Sequence, residues 1–318
     1  MSLALNLRSA HLLGSLNEQA DELRIAHQTI SDPYTVWDFG VETEGGLAAG
    51  LILSRICLAD LADVSLTTSD LAGRDWPTIA VRTDQPVPAC LFSQYAGWSV
   101  SVESQKFFGM GSGPMRAAAS QEPLFEEFDF REQSQHLVGV FETESLPTRE
   151  VFDYLAKKHV DSSPITLAVA PTASQAGNVQ IVARSVETAL HKLHEVGFDV
   201  QRIRSGFGTA PLPPVATDFL TGLGRTNDAI LYGGRVTLWV TGDDESLEEI
   251  GPRVPASSSN DYGRPFRDIF KAADHDFYKI DPLLFSPAEI VFQNLDTGHV
   301  FRFGQTNSEV LQTSFGLT

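Results

Sequence analysis

The sequence predicts an α+β fold built from two mixed domains, and three observations carry that reading. Apolar residues recur at the helical period in some stretches and alternate in others. The two kinds of stretch do not alternate strictly, which argues against a doubly wound parallel sheet. At 318 residues and 42% hydrophobic content, the chain is longer than a single core usually serves. The expected division is 1–165 and 166–318, with either domain free to be discontinuous.

Taken in order, Leu12 to Thr29 reads as a helix, followed by Pro33, a strand over YTVWDFGVE and a buried helix beginning near Gly46. Gly46, Ala48, Ala49 and Gly50 predict close packing there. TIAVRT, PACLFS and WSVSVES read as strands separated by Pro86, Pro88 and Gly97. A glycine-rich run, FFGMGSGPMRAAAS, leads into the acidic stretch EPLFEEFDFREQ, read as strand or loop. HLVGVFETE is a strand, PTREVFDYLAKKH a helix and ITLAVAPT a strand. One helix is expected to follow, capped at Ser174 or Asn178, running to Val196 and ended by Gly197. FDVQRIRSGFG is strand-like, TAPLPPVA a proline-rich turn or linker, and DAILYGGRVTLWVTG resembles a hairpin turning at Gly233 and Gly234. After the loop PASSSNDYGRPF and a short helix come strands AEIVFQN and HVFRFGQ around DTG.

Composition excludes several functions. A net charge of −18, with 41 acidic against 23 basic residues and no basic run, repels a phosphate backbone, so nucleic acid is not an expected partner. No run reaches the ~18 apolar residues of a membrane span. Cys57 and Cys90 are the only cysteines, each in an apolar segment, and read as two reduced thiols. With no signal-peptide pattern at the N-terminus, the expected location is the cytoplasm.

Chemistry concentrates in the helix expected after Pro171. Val179, Val182, Ala183, Val186, Leu190 and Leu193 define its buried stripe, and Gln180, Arg184, Glu187, His191 and His194 fall on one flank of it. Arg184 and Glu187, three apart, are either a surface pair worth about 0.2–0.5 kcal/mol or a catalytic pair. Glu187, His191 and His194 also allow a zinc reading, but their spacing matches neither HExxH nor HxxEH, and no metal is expected. Gly109, Gly111 and Gly113 make either a tight turn or a substrate-facing loop; the Lys-Ser/Thr of a phosphate-binding loop is missing. Ser112 lies outside any GxSxG elbow. Asn227 and Asp228, read as sitting just ahead of a strand, either cap a turn or bind a ligand.

The blocks GVETEGGLAAGLILSRICLADL, SQYAGW, FFGMGSGPMRA, APTASQAGNVQIVARSVETALHK, GRTNDAILYGG, SSSNDYGRPF, DFYKIDPLLFSPAEI and NSEVLQTSFG occur in this order over nearly the whole chain. Together they resemble the methenyltetrahydromethanopterin cyclohydrolase family. The resemblance implies reversible hydrolysis of a methenyl bridge on a pterin carrier, giving the 5-formyl compound, without metal or cofactor. It also implies a homotrimer and a site in a cleft between the two domains. The family's catalytic arginine and glutamate fall on Arg184 and Glu187. The same reaction on a related pterin such as tetrahydrofolate, or a catalytically silent pterin-binding chain, are the alternatives. Gln94, Tyr95, Ser112, Asn227 and Asp228 are the candidate substrate-binding residues, lying in polar segments of the matching blocks. For an anionic carrier tail, Arg116, Arg225 and Arg264 are the candidate cations.

Overall fold

Strand pairing, not sequence order, divides this chain. The computed structural model describes residues 3–159 and 164–317. One compact unit takes the chain up to residue 62 and then 88–180; the other takes 63–87 and everything from 181 on. The chain therefore passes between units at 62/63, 87/88 and 180/181; the expected division was 1–165 and 166–318, with discontinuous domains allowed.

In the first unit, α1 (Leu5–Gly14) and α2 (Ala20–Leu23) precede a hairpin of β1 (Ala26–Ser31) and β2 (Tyr34–Asp38). The single helix expected over Leu12–Thr29 is thus two short helices and a strand. Its last part is captured by cross-strand pairing, in which His27 lies opposite Trp37 and stacks on it with ring centroids 4.5 Å apart. Then comes α3 (Leu47–Cys57), as expected. The hairpin of β3 (Asp63–Leu71) and β4 (Arg74–Thr83) leaves for the second unit.

The segment PACLFS, expected as a strand, lies within a π-helix, Val87–Gln94. Its carbonyls have no strand neighbour to accept from: those of Leu91 and Ser93 take hydrogen bonds from Arg116 Nη1 at 3.0 and 3.3 Å. The glycine-rich run, conversely, is strand and not loop. It forms β6 (Phe107–Ser112), paired with β5 (Trp98–Val102). A Cβ on Gly109 or Gly111 would lie about 3 Å from the Phe141 ring, so these glycines make room for an aromatic side chain and not for an anion. Gly113, at φ +91, turns the chain into α4 (Met115–Ala119). The acidic stretch supplies α5 (Pro123–Glu127). β7 (Leu137–Glu142), α6 (Arg149–His159) and β8 (Ile165–Ala170) follow as expected.

The sheet order is β1-β2-β8-β7-β6-β5, with β2, β8 and β7 mutually parallel and the outer pairs antiparallel. Both faces are covered. Trp37, Val138, Val140 and Ala168 pack with α1 and α3, while Val36, Leu137, Phe141 and Leu167 pack with α4 and α6. Burial on both faces is why β7 and β8 read as continuous apolar runs.

The helix expected over 174–196 is two helices, α7 (Gln175–Val182) and α8 (Ser185–Glu195), separated by a turn at Ala183 and Arg184. Both ends match expectation. The Ser174 hydroxyl accepts from Gly177 N at 3.0 Å. Gly197, at φ +88, donates to His194 O, and Phe198 N donates to Leu193 O, the paired bonds of a Schellman end. The two halves pack on different elements. A Cβ on Gly50 of α3 would come within 2.6 Å of Val179 Cβ, so α7 lies tight against α3.

The remaining elements are β9 (Ile203–Pro211), α9 (Phe219–Leu231), β10 (Arg235–Val240), α10 (Glu245–Ile250), α11 (Phe266–Ala272), β11 (Glu289–Asn294), β12 (Val300–Gly304) and α12 (Ser308–Phe315). DAIL, expected in a hairpin, belongs to α9, whose start is capped by Asp218 accepting from Thr221 N at 2.9 Å. β10 pairs antiparallel with β9 and parallel with β11; β11 and β12 form the hairpin expected around DTG. β4 joins β9, giving the order β12-β11-β10-β9-β4-β3. α8 lies on this sheet over β9, β10 and β4. It approaches where β9 has no side chains: a Cβ on Gly206 would be 2.8 Å from Val186 Cγ1, and one on Gly208 only 2.5 Å from Ser185 Oγ. Gly208→Ala should therefore destabilise the protein by about 1–3 kcal/mol through overpacking. Gly14→Ala, where nothing lies within 4 Å, should stay within about 0.5 kcal/mol. Urea midpoints at unchanged slope measure both, and equal midpoints would show that the α8 contact is not tight.

Candidate active site

The break between α7 and α8 places Arg184 at the N-cap of α8 and Glu187 in its first turn. A carboxylate is favourably placed there, facing the positive end of the helix dipole. Both side chains are 7% exposed, and Arg184 Nη1 stands 4.0 Å from Glu187 Oε2. That distance is an ion pair at its outer limit, not a hydrogen bond. Burial removes the surface-pair reading, since an exposed pair is screened and this one is withdrawn from water. The arrangement can hold a charged carboxylate beside a cation with little solvent, which suits proton transfer. Further along α8, His191 Nε2 lies 3.8 Å from Glu195 Oε1. Among the described residues no group of three or more His, Cys, Asp or Glu side chains could hold a metal ion.

A second polar group lies in the first unit. Gln94 ends the π-helix, fully buried, and Ser112 ends β6. Both meet Cys57, the last residue of α3: its Sγ is 3.3 Å from Ser112 Oγ and 3.9 Å from Gln94 O. Ser112 Oγ also donates to Val140 O at 3.1 Å. Tyr95 N closes a π-type bond to Cys90 O at 2.8 Å, and the Tyr95 ring faces the Arg116 guanidinium with its centroid 5.0 Å away. So Gln94, through its carbonyl, and Ser112 meet at Cys57, whereas the Tyr95 ring lies against Arg116.

Asn227 and Asp228 sit inside a helix and not ahead of a strand. Asn227 Nδ2 donates to Leu223 O one turn back, at 2.8 Å. Asp228 is fully buried and accepts from Phe266 N at 2.8 Å and Ser314 Oγ at 2.6 Å, joining α9 to α11 and α12. Of the three arginines expected at an anionic tail, Arg116 is excluded. It is fully buried in an ion pair with Glu122, with Phe125 packed near it. Arg225 donates to Ser314 O and Pro214 O, whereas Arg264 is half exposed, 3.8 Å from Asp261.

Lys192 escaped the sequence reading. It is 1% exposed on α8, and its Nζ donates to Ser258 Oγ at 3.2 Å and to Leu283 O. Burial pushes it down to about 8, partly opposed by Asp281. The helical wheel carried the signal, because position 192 lies three past Ala189 and seven past Ser185, at the edge of the buried stripe.

A two-unit α+β chain with a withdrawn arginine–carboxylate pair at a helix start has the groups that acid–base chemistry uses. Its family follows from comparison: the chain belongs to the family described as Cyclohydrolase (MCH), whose model matches residues 4–315. It is similar to proteins named methenyltetrahydromethanopterin cyclohydrolase. That of Rhodopirellula baltica is 48% identical over 291 residues, covering 89% of this chain and 86% of the relative. That of Methylobacillus flagellatus is 43% identical over 96% of this chain and 93% of its own, and that of Methanosarcina barkeri 42% identical over 99% of both. No helix among the described residues is long and apolar enough to cross a membrane.

Asp228 makes a pH test of the scaffold. Burial raises its carboxyl to about 7 from the usual 3.8, so the folded chain holds that proton more tightly than the unfolded chain does. Its contribution to stability is therefore complete below about pH 4 and is lost as pH climbs through 7. Between pH 4.5 and 7.5, Asp228→Asn should lose less stability than the parent in denaturant titrations. Parallel curves for the two proteins would contradict the assignment.

Proposed function

We propose that this chain reversibly hydrolyses the methenyl bridge of 5,10-methenyltetrahydromethanopterin to 5-formyltetrahydromethanopterin, with Arg184 and Glu187 as its catalytic residues. The observation that carries the proposal is the buried Arg184–Glu187 pair, within a chain similar over nearly its full length to proteins bearing that name. The protein works in the cytoplasm as a homotrimer, with no metal or cofactor beyond the carrier itself.

The reaction fits those residue types. The methenyl bridge is an amidinium, so its carbon is already electrophilic and the enzyme's task is to place and activate water. Glu187 accepts a proton as water adds to that carbon. Its negative charge also stabilises the cationic bridge most effectively where water is scarce. Arg184 orients the carboxylate and favours its ionised form. In the adduct, the carbon–nitrogen bond at position 10 breaks as that nitrogen gains a proton, supplied by Glu187. The hydroxyl proton leaves for solvent, so one proton is released per turnover. Gln94, Tyr95 and Ser112 contribute polar contacts to the substrate. Asn227 and Asp228 are committed to bonds within α9 and to α11 and α12, and Arg264 is the cation available to an anionic tail.

The decisive experiment follows the absorbance decay of the methenyl carrier. Glu187→Gln keeps size and hydrogen bonding but cannot take the proton, so turnover should fall roughly 10²-fold or more with the melting temperature unchanged. Arg184→Ala should also lower turnover sharply. A Glu187→Gln enzyme retaining more than half the parental rate would sink the assignment, and mass by sedimentation other than three chains would sink the trimer.

A further inference from the structure

Gln180 lies on α7, four residues ahead of Arg184, and is 1% exposed. Its Nε2 donates to Cys57 Sγ at 3.5 Å, while its Oε1 is buried with no hydrogen-bond partner. Turning the amide over would not cure this, because one end would still face only a thiol. Leaving a buried amide group unsatisfied is costly, and sulfur is a weak partner for the other end. A methionine would fill the same volume at no such cost. The amide therefore works against stability where it stands.

Its surroundings point to a ligand. Cys57 Sγ, to which Gln180 donates, also borders Ser112 Oγ and Gln94 O. The neighbouring segment Val87–Gln94 is a π-helix, a rare conformation frequent at functional sites. We infer that the Gln180 carboxamide is a substrate-positioning group, which hydrogen-bonds the heteroatom edge of the carrier's pterin ring. A pterin presents a ring carbonyl, a ring N–H and an amino group side by side, and a carboxamide offers the matching donor and acceptor. Three rotatable bonds let the side chain leave a thiol contact that holds it only weakly. The inference rests on the pterin reading of the function.

The test uses the full-length protein and the methenyl carrier. Gln180→Met should melt at or above the parental temperature, raise KM roughly tenfold and change kcat less than about threefold. An unchanged KM would overturn the inference. So would a variant that is destabilised or fails to fold, since the amide would then be holding the fold, and so would a collapse of kcat at constant KM. Parent protein inert toward the methenyl carrier would instead refute the functional reading. Normal turnover by Glu187→Gln beside a raised KM in Gln180→Met would reject the catalytic pair while leaving Gln180 in place.

Discussion

The seating of α8 on β9 is the contact on which the placement of Arg184 and Glu187 depends. Gly206 and Gly208 remove two side chains from the strand, and Ser185 and Val186 occupy the space. Those two residues stand between Arg184 and Glu187, so the depth at which they seat sets the position of both. α7 has its own close fit, against Gly50 of α3. Each half of the segment is fixed by a different partner, and the turn at 183–184 joins them. A break in a helix thus places an arginine at an N-cap, where its backbone still feeds the helix while its side chain is released from the helical stripe.

Much of the fold was legible because burial leaves a period in the sequence. The parallel strands β7 and β8, helices α3 and α6, the β11–β12 hairpin, the Ser174 cap and the Gly197 end all announced themselves locally. What misled was always a tertiary demand. PACLFS has strand composition, yet Arg116 takes the carbonyls a strand neighbour would need. FFGMGSG has loop composition, yet its glycines are spaces for Phe141. DAIL is apolar enough for a strand, but Asp218 starts a helix upstream of it. The pair Arg184–Glu187 was legible from spacing and resemblance together; the burial of Lys192 was written only in its place on the helical wheel, and that of Gln180 was not legible, because a buried polar side chain looks on paper like a surface one.

Buried polar groups in this protein divide by whether their valences are met. Arg116 spends its guanidinium on Glu122 and two carbonyls, Asp228 spends both oxygens on helix ends, and Lys192 ties Ser258 and Leu283 to α8. These are fasteners: each buried polar group is met by bonds that reach elements distant in sequence. Gln180 keeps one end of its amide unmatched, so its burial is not repaid within the same unit.

The loan of residues 63–87 to the second unit has a consequence for how the chain comes together. β4 cannot find β9 until more than a hundred further residues have been made, and in that interval its open edge is a template for any other strand. Assembly of the second sheet is therefore a late, non-local event, governed by closure of a long loop and not by local propensity. During synthesis the hairpin must wait, and the elements translated next, which complete the first sheet, fold while it does so. A fragment beginning at residue 181 would carry α8 and its glycine seat yet leave β9 with a bare edge. No contiguous piece of this chain contains the whole second sheet unless it also contains most of the first unit.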